Sequence, residues 1–211
     1  MAPFQLVPSE VSAAKLAREI TEWRRYEEAY RQRGWLLLRH RELTVQVAFA
    51  APVMTNASTA PLPVITACLQ LAFHNYDFWP PSLTFIDLFT GQPCLPHVRA
   101  MLATDAGPAD LLVNGHPETK LPFLCLPGTR EYHSHPQHSG DSWLLHRAQH
   151  SGSLATICDR VWRSMARNVF GVRVTTQSFP PPLPPAVDVR LWQGDVDALR
   201  AQVPFLVGPA G

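Results

Sequence analysis

Residue types that can do chemistry are densest between His116 and Trp143. This stretch holds Cys125, four of the nine histidines (His116, His133, His135, His138) and the carboxylates of Glu131 and Asp141. Two chemistries need such a set. One is nucleophilic catalysis by a thiolate, because sulfur attacks carbonyl carbon readily and leaves readily. The other is a divalent metal site built from nitrogen, oxygen and sulfur donors. The two partly exclude each other, since a thiolate bound to a metal is a poor free nucleophile.

For the first chemistry the residue is Cys125. It needs partial exposure, and a neighbouring histidine or helix end that helps it lose its proton. The competing reading is a buried structural cysteine, which Leu124 and Leu126 on either side favour. For the second, the candidate ligands are Cys125, Glu131, His133, His135 and His138. In an extended chain residues 131, 133 and 135 point to one side, so three donors can converge, with His138 or Cys125 completing a tetrahedral shell. Imidazole and thiolate together favour zinc. The competing reading is a solvated polar loop. The spacing C-x5-E-x-H-x-H-x2-H matches no standard zinc finger. Asp141 reads as a turn cap through Ser139-Gly140.

The elements that position these residues can be read from the pattern. Ser9 to Arg33 reads as an amphipathic helix capped by Ser9 and ended by Gly34, with Val11, Leu16, Ile20, Trp23 and Tyr30 near one face. Strands are expected at Trp35–Leu38, Leu43–Phe49, Val64–Phe73 and Ser82–Asp87. Val53 to Pro63 reads as a Pro-rich loop and His74 to Asp77 as a turn. Val98 to Leu112 is ambiguous, with a short helix interrupted at Gly107-Pro108 as one reading. Ser153 to Val169 reads as a second amphipathic helix and Val172 to Thr176 as a strand. The prolines of Phe179 to Pro185 read as a semi-rigid boundary, followed by a short helix at Asp195 to Gln202. Helix, antiparallel strands, irregular segment and helix make an α+β pattern.

Composition narrows the function classes. The formal net charge is +1, so no basic face for nucleic acid or a membrane surface is expected. No apolar run reaches the ~20 residues of a membrane helix. The four cysteines include no C-x-x-C pair, and no signal peptide is visible. A reducing cytoplasm with free thiols is the expected location. The 21 prolines are about twice average usage, which fits a loop-rich domain better than a helical bundle.

Several motifs carry a resemblance. Tyr76-Asp77-Phe78-Trp79-Pro80-Pro81-Ser82-Leu83-Thr84-Phe85 resembles the Tyr-Pro-Phe-x-Pro-Pro-x-Val-x-Phe segment of ubiquitin-conjugating (E2) enzymes. His116-Pro117-Glu118 followed by Cys125-Leu126 resembles their His-Pro-Asn motif and active-site Cys-Leu. Trp143, Ser153-Leu154 and the N-terminal helix follow the same order, so the likeness spans roughly residues 10 to 170. About thirty residues separate Phe85 from His116, where E2 enzymes have only a few, so an insertion is expected around 89–113. Glu118 replaces the motif's asparagine, which puts oxyanion stabilisation by that group in doubt. Cys-Leu-Pro-Gly-x-x-Glu-Tyr-His-x-His also resembles a bacterial family described as a Cys/Glu/His/His metal-binding domain of prokaryotic ubiquitin-like conjugation operons. His133-Ser134-His135-Pro136 is similar to the His-Ser-His-Pro of JAMM metallopeptidases, but Ser139-Gly140-Asp141 comes too early and one residue short for their pattern.

These resemblances imply an E2/UBC-like domain over 1–178 and a Pro-rich extension over 179–211. They imply an E2-like transferase of a bacterial conjugation pathway, of the kind used in antiviral defence. Its partners would be a ubiquitin-like modifier and an E1-like activating enzyme. Cys125, His116 and Glu131 would be catalytic, with zinc possible at the 125–138 segment. A non-catalytic zinc scaffold on the same fold and a JAMM-like peptidase are the alternatives.

Overall fold

A computed structural model describes residues 5–55, 58–96, 98–104, 107–165, 169–177 and 186–193. The expected N-terminal helix is two: α1 (Ser9–Arg25) and α2 (Glu27–Gln32), broken at Tyr26. Pro8, not Ser9, stands at the N-cap of α1, and no side chain caps it. Leu16, Ile20 and Trp23 are buried along one face as the periodicity requires, whereas Val11 is exposed and Ser12 takes the buried place. Gly34 ends the pair at φ +82°, where a Cβ would meet the Ala50 carbonyl oxygen at 2.0 Å. Only glycine allows that turn and approach together.

A meander follows: β1 (Trp35–Arg41), β2 (Thr44–Thr55), β3 (Ser58–Ala72) and β4 (Ser82–Phe85), with each strand antiparallel to the next. Val45, Val47, Phe49, Ala51 and Val53 alternate inward along β2, as a half-buried strand requires. On β3 a bulge at Thr66 separates the pairs Phe49↔Ala67 and Ala50↔Ile65, and the Thr66 hydroxyl donates to the Phe49 carbonyl at 3.2 Å. The extra residue flips the inward set from Ala67, Leu69 and Leu71 to Val64.

The loop expected at 53–63 is therefore mostly strand. Pro52 and Pro63 face each other in the ladder. Proline is tolerated because β4 reaches only Leu69–Ala72, so among the described residues no strand pairs with the outer edge of β3 at Pro61 and Pro63. The bare end of the hairpin is extended on its β2 side. There β9 (Val169–Gln177) runs parallel to Met54–Thr55, and β10 (Ala186–Gln193) pairs with β9. The strand expected at 172–176 lies within β9. The Pro-rich run at 179–185 and the helix expected at 195–202 lie outside the described residues.

Between β4 and the cysteine, the ambiguous 98–112 stretch is a hairpin rather than a helix: β5 (Met101–Thr104) and β6 (Gly107–Asp110). Gly107-Pro108 at the start of β6 disfavours helix and suits a strand end. A short pair, β7 (Leu112–Val113) with β8 (Phe123–Leu124), leads into the chemistry-bearing segment. After it come α3 (Arg130–Ser134), a 3-10 turn (Pro136–His138), α4 (Trp143–Arg147) and α5 (Leu154–Ser164). Ser153 caps α5, its hydroxyl accepting from the Thr156 amide at 3.3 Å.

The core lies between the meander and the α1–α5 pair. It holds Trp23, Trp35, Phe49, Leu69, Phe73, Phe85, Leu124, Leu154, Ile157 and Val161. The architecture is α+β, a small and mainly antiparallel sheet with helices before and after it. Among the described residues no helix is long and apolar enough to cross a membrane.

Candidate functional site

The turn at 74–81 ties the helices to the sheet. The Tyr76 hydroxyl donates to Glu19 of α1 at 2.8 Å, and the same carboxylate accepts the first amide of α5, Leu154, at 3.1 Å. Burial and the Glu19 contact push the Tyr76 hydroxyl well above its ordinary pKa. Asp77 pairs with Lys15 and Arg147, and its carbonyl accepts from the Trp143 indole at 3.0 Å. Arg130 stacks on Trp79 and donates to the carbonyls of His74 and Pro80. The aromatic and proline residues of 76–85 thus hold α1, α3, α4 and α5 in register around the cysteine.

Cys125 follows β8, and its amide donates to the Leu111 carbonyl at 2.8 Å. Leu124 and Leu126 are buried, while Cys125 between them is only half-buried. Extended backbone alternates sides, so the flanking leucines turn the thiol outward instead of burying it. Its sulfur lies 3.0 Å from Nε2 of His138.

The chain reaches His138 through a tight path. Gly128 has φ +99° and packs so closely on Ser151 that a Cβ would sit 2.2 Å from that carbonyl oxygen. This turn starts α3. The 3-10 turn then brings His138 back to the cysteine. The Tyr132 ring lies against the His138 imidazole, with centroids 3.9 Å apart and planes at 17°. The Tyr132 hydroxyl donates to Asp141 at 2.7 Å, and the other carboxylate oxygen of Asp141 meets His146 Nε2 at 2.6 Å. The His146 and Tyr132 hydrogen bonds hold the Asp141 carboxyl below the usual range. Burial and the Asp141 contact push Tyr132 up to about 12.

Electrostatics set the resting state of the pair. Burial pushes the Cys125 thiol up. Desolvation, with His135 nearby, pushes His138 down, so this imidazole is neutral near pH 7. The pair rests as a thiol facing an uncharged base. That is the arrangement in which a histidine takes the proton as the sulfur attacks.

The other expected site residues do different work. His116 is fully buried. Its Nδ1 accepts from the Glu118 amide at 3.2 Å, and its Nε2 faces the Glu131 carbonyl at 3.0 Å. It fastens the 116–120 turn to α3 and packs edge-on against Phe123. The Glu131 side chain is 5% exposed. One carboxylate oxygen accepts the Ser82 hydroxyl and the other the Leu83 amide at 3.0 Å. It clamps α3 to β4, and burial pushes its carboxyl up. His133 spans two backbone groups: Nδ1 donates to the Asp141 carbonyl at 2.9 Å, and Nε2 accepts from the Gly128 amide at 3.2 Å. His135 lies against Phe123 and caps the 3-10 turn through Nδ1.

The extended geometry expected to align residues 131, 133 and 135 is thus replaced by a helix. Residues two apart on a helix diverge by about 200°, so Glu131 points into the core while His133 points to the 128 and 141 loops. Among the described residues, no three of histidine, cysteine, aspartate and glutamate are arranged to hold a metal ion.

Beside the pair opens a groove of about 460 Å³ whose lining includes Trp79, Glu118, Ser134, His138, Asp141 and Trp143. His138 therefore faces both the sulfur and the groove. Tyr132, Asp141 and His146 complete the site, yet reading the chain did not assign them to it. Tyr132 stands next to Glu131 in the chain. Its hydrogen bond to Asp141 spans nine positions of irregular chain, which no periodicity reports.

A family model described as Y4jH-like (Y4jH family) matches residues 7–109 and 109–169. The protein of Sinorhizobium fredii (strain NBRC 101917 / NGR234) named "Uncharacterized protein y4jH" is 34% identical over 180 residues, covering 76% of this chain and 85% of that protein. The matched span runs from before α1 past α5 and contains the meander, the 74–81 turn, Cys125 and His138. On that match the chain belongs to the Y4jH-like family.

Proposed function

We propose that this chain is an E2-like carrier in a ubiquitin-like conjugation pathway, holding a modifier's C-terminus as a thioester on Cys125. The observation that carries the proposal is the half-buried Cys125 thiol 3.0 Å from Nε2 of the His138 imidazole. Several features support the finer fold reading. A helix precedes a four-stranded antiparallel meander, the proline-bearing turn enters β4, a His116-Pro117 turn anchored by the buried His116 precedes the cysteine, and a capped helix follows. This is the element order of ubiquitin-conjugating enzymes. An activating enzyme would deliver the modifier's acyl group to Sγ. His138 would take the thiol proton as the new bond forms. His116 and Glu131 act here as positioning residues, one holding the turn and the other holding α3.

The test is incubation with the activating enzyme, the ubiquitin-like modifier and ATP. A thiol-sensitive adduct that disappears in Cys125→Ala supports the proposal, and its absence with folded protein refutes it. Metal analysis of the same protein separates the scaffold alternative. Stoichiometric zinc lost in both Cys125→Ala and His138→Ala, with an unalkylatable Cys125, would favour a zinc-holding module. Zinc-dependent cleavage of the modifier's tail would favour the peptidase reading instead.

A further inference from the structure

His138 stands at a junction. Its Nε2 meets the Cys125 sulfur at 3.0 Å, and its ring also lines the groove that opens beside α3 and α4. Once the sulfur carries an acyl group it has no proton to give, and the imidazole nitrogen is released toward whatever occupies the groove. The groove selects by charge. Glu118 and Asp141 line it, and the cation among its lining residues, Arg130, is turned to the carbonyls of His74 and Pro80 and stacked on Trp79. Among the described lining residues the carboxylates of Glu118 and Asp141 outnumber this one guanidinium, which disfavours an anionic acceptor.

We propose that the groove is the acceptor site and that His138 is the base for both half-reactions, so that acyl groups pass through Cys125 to hydroxyls or unprotonated amines on acceptors that carry no negative charge. This deepens the carrier reading but needs neither modifier nor activating enzyme. In the first half-reaction the Cys125 proton moves to His138 Nε2 and the S–C bond forms. The donor's leaving group then departs with that proton. In the second, the acceptor's proton moves to His138 as its oxygen or nitrogen bonds the carbonyl carbon. The C–S bond breaks, and the sulfur recovers the proton. Tyr132 is a positioning residue in both, because its ring fixes the imidazole plane and Asp141 fixes the ring.

A small acyl donor tests this on the full chain. 4-Nitrophenyl acetate is added, nitrophenolate release is followed, and peptide mass locates the acetyl group. The expected result is one acetyl on the Cys125 peptide, absent in Cys125→Ala and formed on the order of 10²-fold more slowly in His138→Asn, the loss expected for a missing general base. The acyl protein is then chased with glycerol, ethanolamine or 3-hydroxybutyrate. Glycerol or ethanolamine should speed deacylation several-fold in the wild type and not in His138→Asn, while 3-hydroxybutyrate should not speed it. Glycerol offers hydroxyls alone, so acceleration by ethanolamine without glycerol marks an amine acceptor and acceleration by both marks a hydroxyl. Thermal melting of each variant guards against misfolding.

Acylation that is indifferent to His138→Asn in a folded variant overturns the proposal, as does equal transfer to the anionic acceptor. If small-acyl transfer succeeds while modifier charging fails, the conjugation reading falls and the dyad stands. If charging succeeds while the chase shows no His138 dependence, only the acceptor proposal falls.

Discussion

Glu131 offers the sharpest check, because the sequence points to catalysis or metal binding and the structure gives it a clamp. Consider Glu131→Ala and Glu131→Gln side by side. Alanine leaves the buried Leu83 amide without its partner at 3.0 Å. An unsatisfied buried donor costs about 1–3 kcal/mol, and losing one buried methylene costs about 0.8 kcal/mol. The sum is roughly 2–4 kcal/mol, which for a domain of this size corresponds to a drop of roughly 4–16 °C in Tm. Glutamine keeps the shape. Its oxygen accepts from Leu83 and its amide donates to the Ser82 hydroxyl, so stability near pH 5 should change by less than about 1 kcal/mol.

The pH dependence gives the sign. Burial raises the folded-state pKa of Glu131 above its ordinary 4.5. Its contribution is therefore fully present below the unfolded value and is lost as pH rises from about 4.5 through the folded pKa. Glu131→Gln removes that loss, so the variant should gain stability relative to the wild type as pH rises. Urea unfolding at several pH values, followed by tryptophan fluorescence, reads both effects. Alkylation of Cys125 is measured in parallel and should be unchanged in folded Glu131→Gln. A Gln variant of normal stability with an unreactive Cys125 would refute the clamp and return Glu131 to the chemistry.

Three further outcomes follow from the same geometry. Iodoacetamide should alkylate Cys125 at pH 7 with help from His138, and His138→Ala should slow this on the order of 10²-fold at unchanged far-ultraviolet circular dichroism. Gly128→Ala should destabilise by about 1–3 kcal/mol or more, because φ is +99° and the new Cβ would meet Ser151 oxygen at 2.2 Å. Denaturant midpoints measure it. Asp77 is partly desolvated, yet Lys15 and Arg147 hold its carboxyl below the ordinary 3.8. Its stabilising share is present above that unfolded value and lost as pH falls through the folded one, so Asp77→Asn should flatten the acid limb of a Tm-against-pH curve.

Much of the frame could be read from the chain because local rules carried it. The stripe Leu16, Ile20 and Trp23 marked a helix face, the alternation of Val45, Val47 and Phe49 marked a strand, and Ser153 marked a helix start. The residue types at 116–143 marked where the chemistry is, and Cys125 and His138 were both named from them. Errors arose where non-local packing overrode local preference. Prolines at 61 and 63 suggested a loop, but an open sheet edge tolerated them as strand. Residues 131, 133 and 135 suggested alternation, but β4 offered Glu131 a Ser82 hydroxyl and a Leu83 amide, and a helix satisfies that carboxylate better.

Which histidine meets the sulfur could not be decided along the chain. His133, His135 and His138 are near-equals in a list of residue types. Their roles diverge because Gly128 and Asp141 take both nitrogens of His133, Phe123 lies against His135, and Tyr132 presses His138 toward Cys125. Residue identity and spacing supplied the inventory of donors and nucleophiles. The partner of each was assigned by backbone groups and rings brought in from distant positions, and contacts of that kind leave no periodic trace in a linear order.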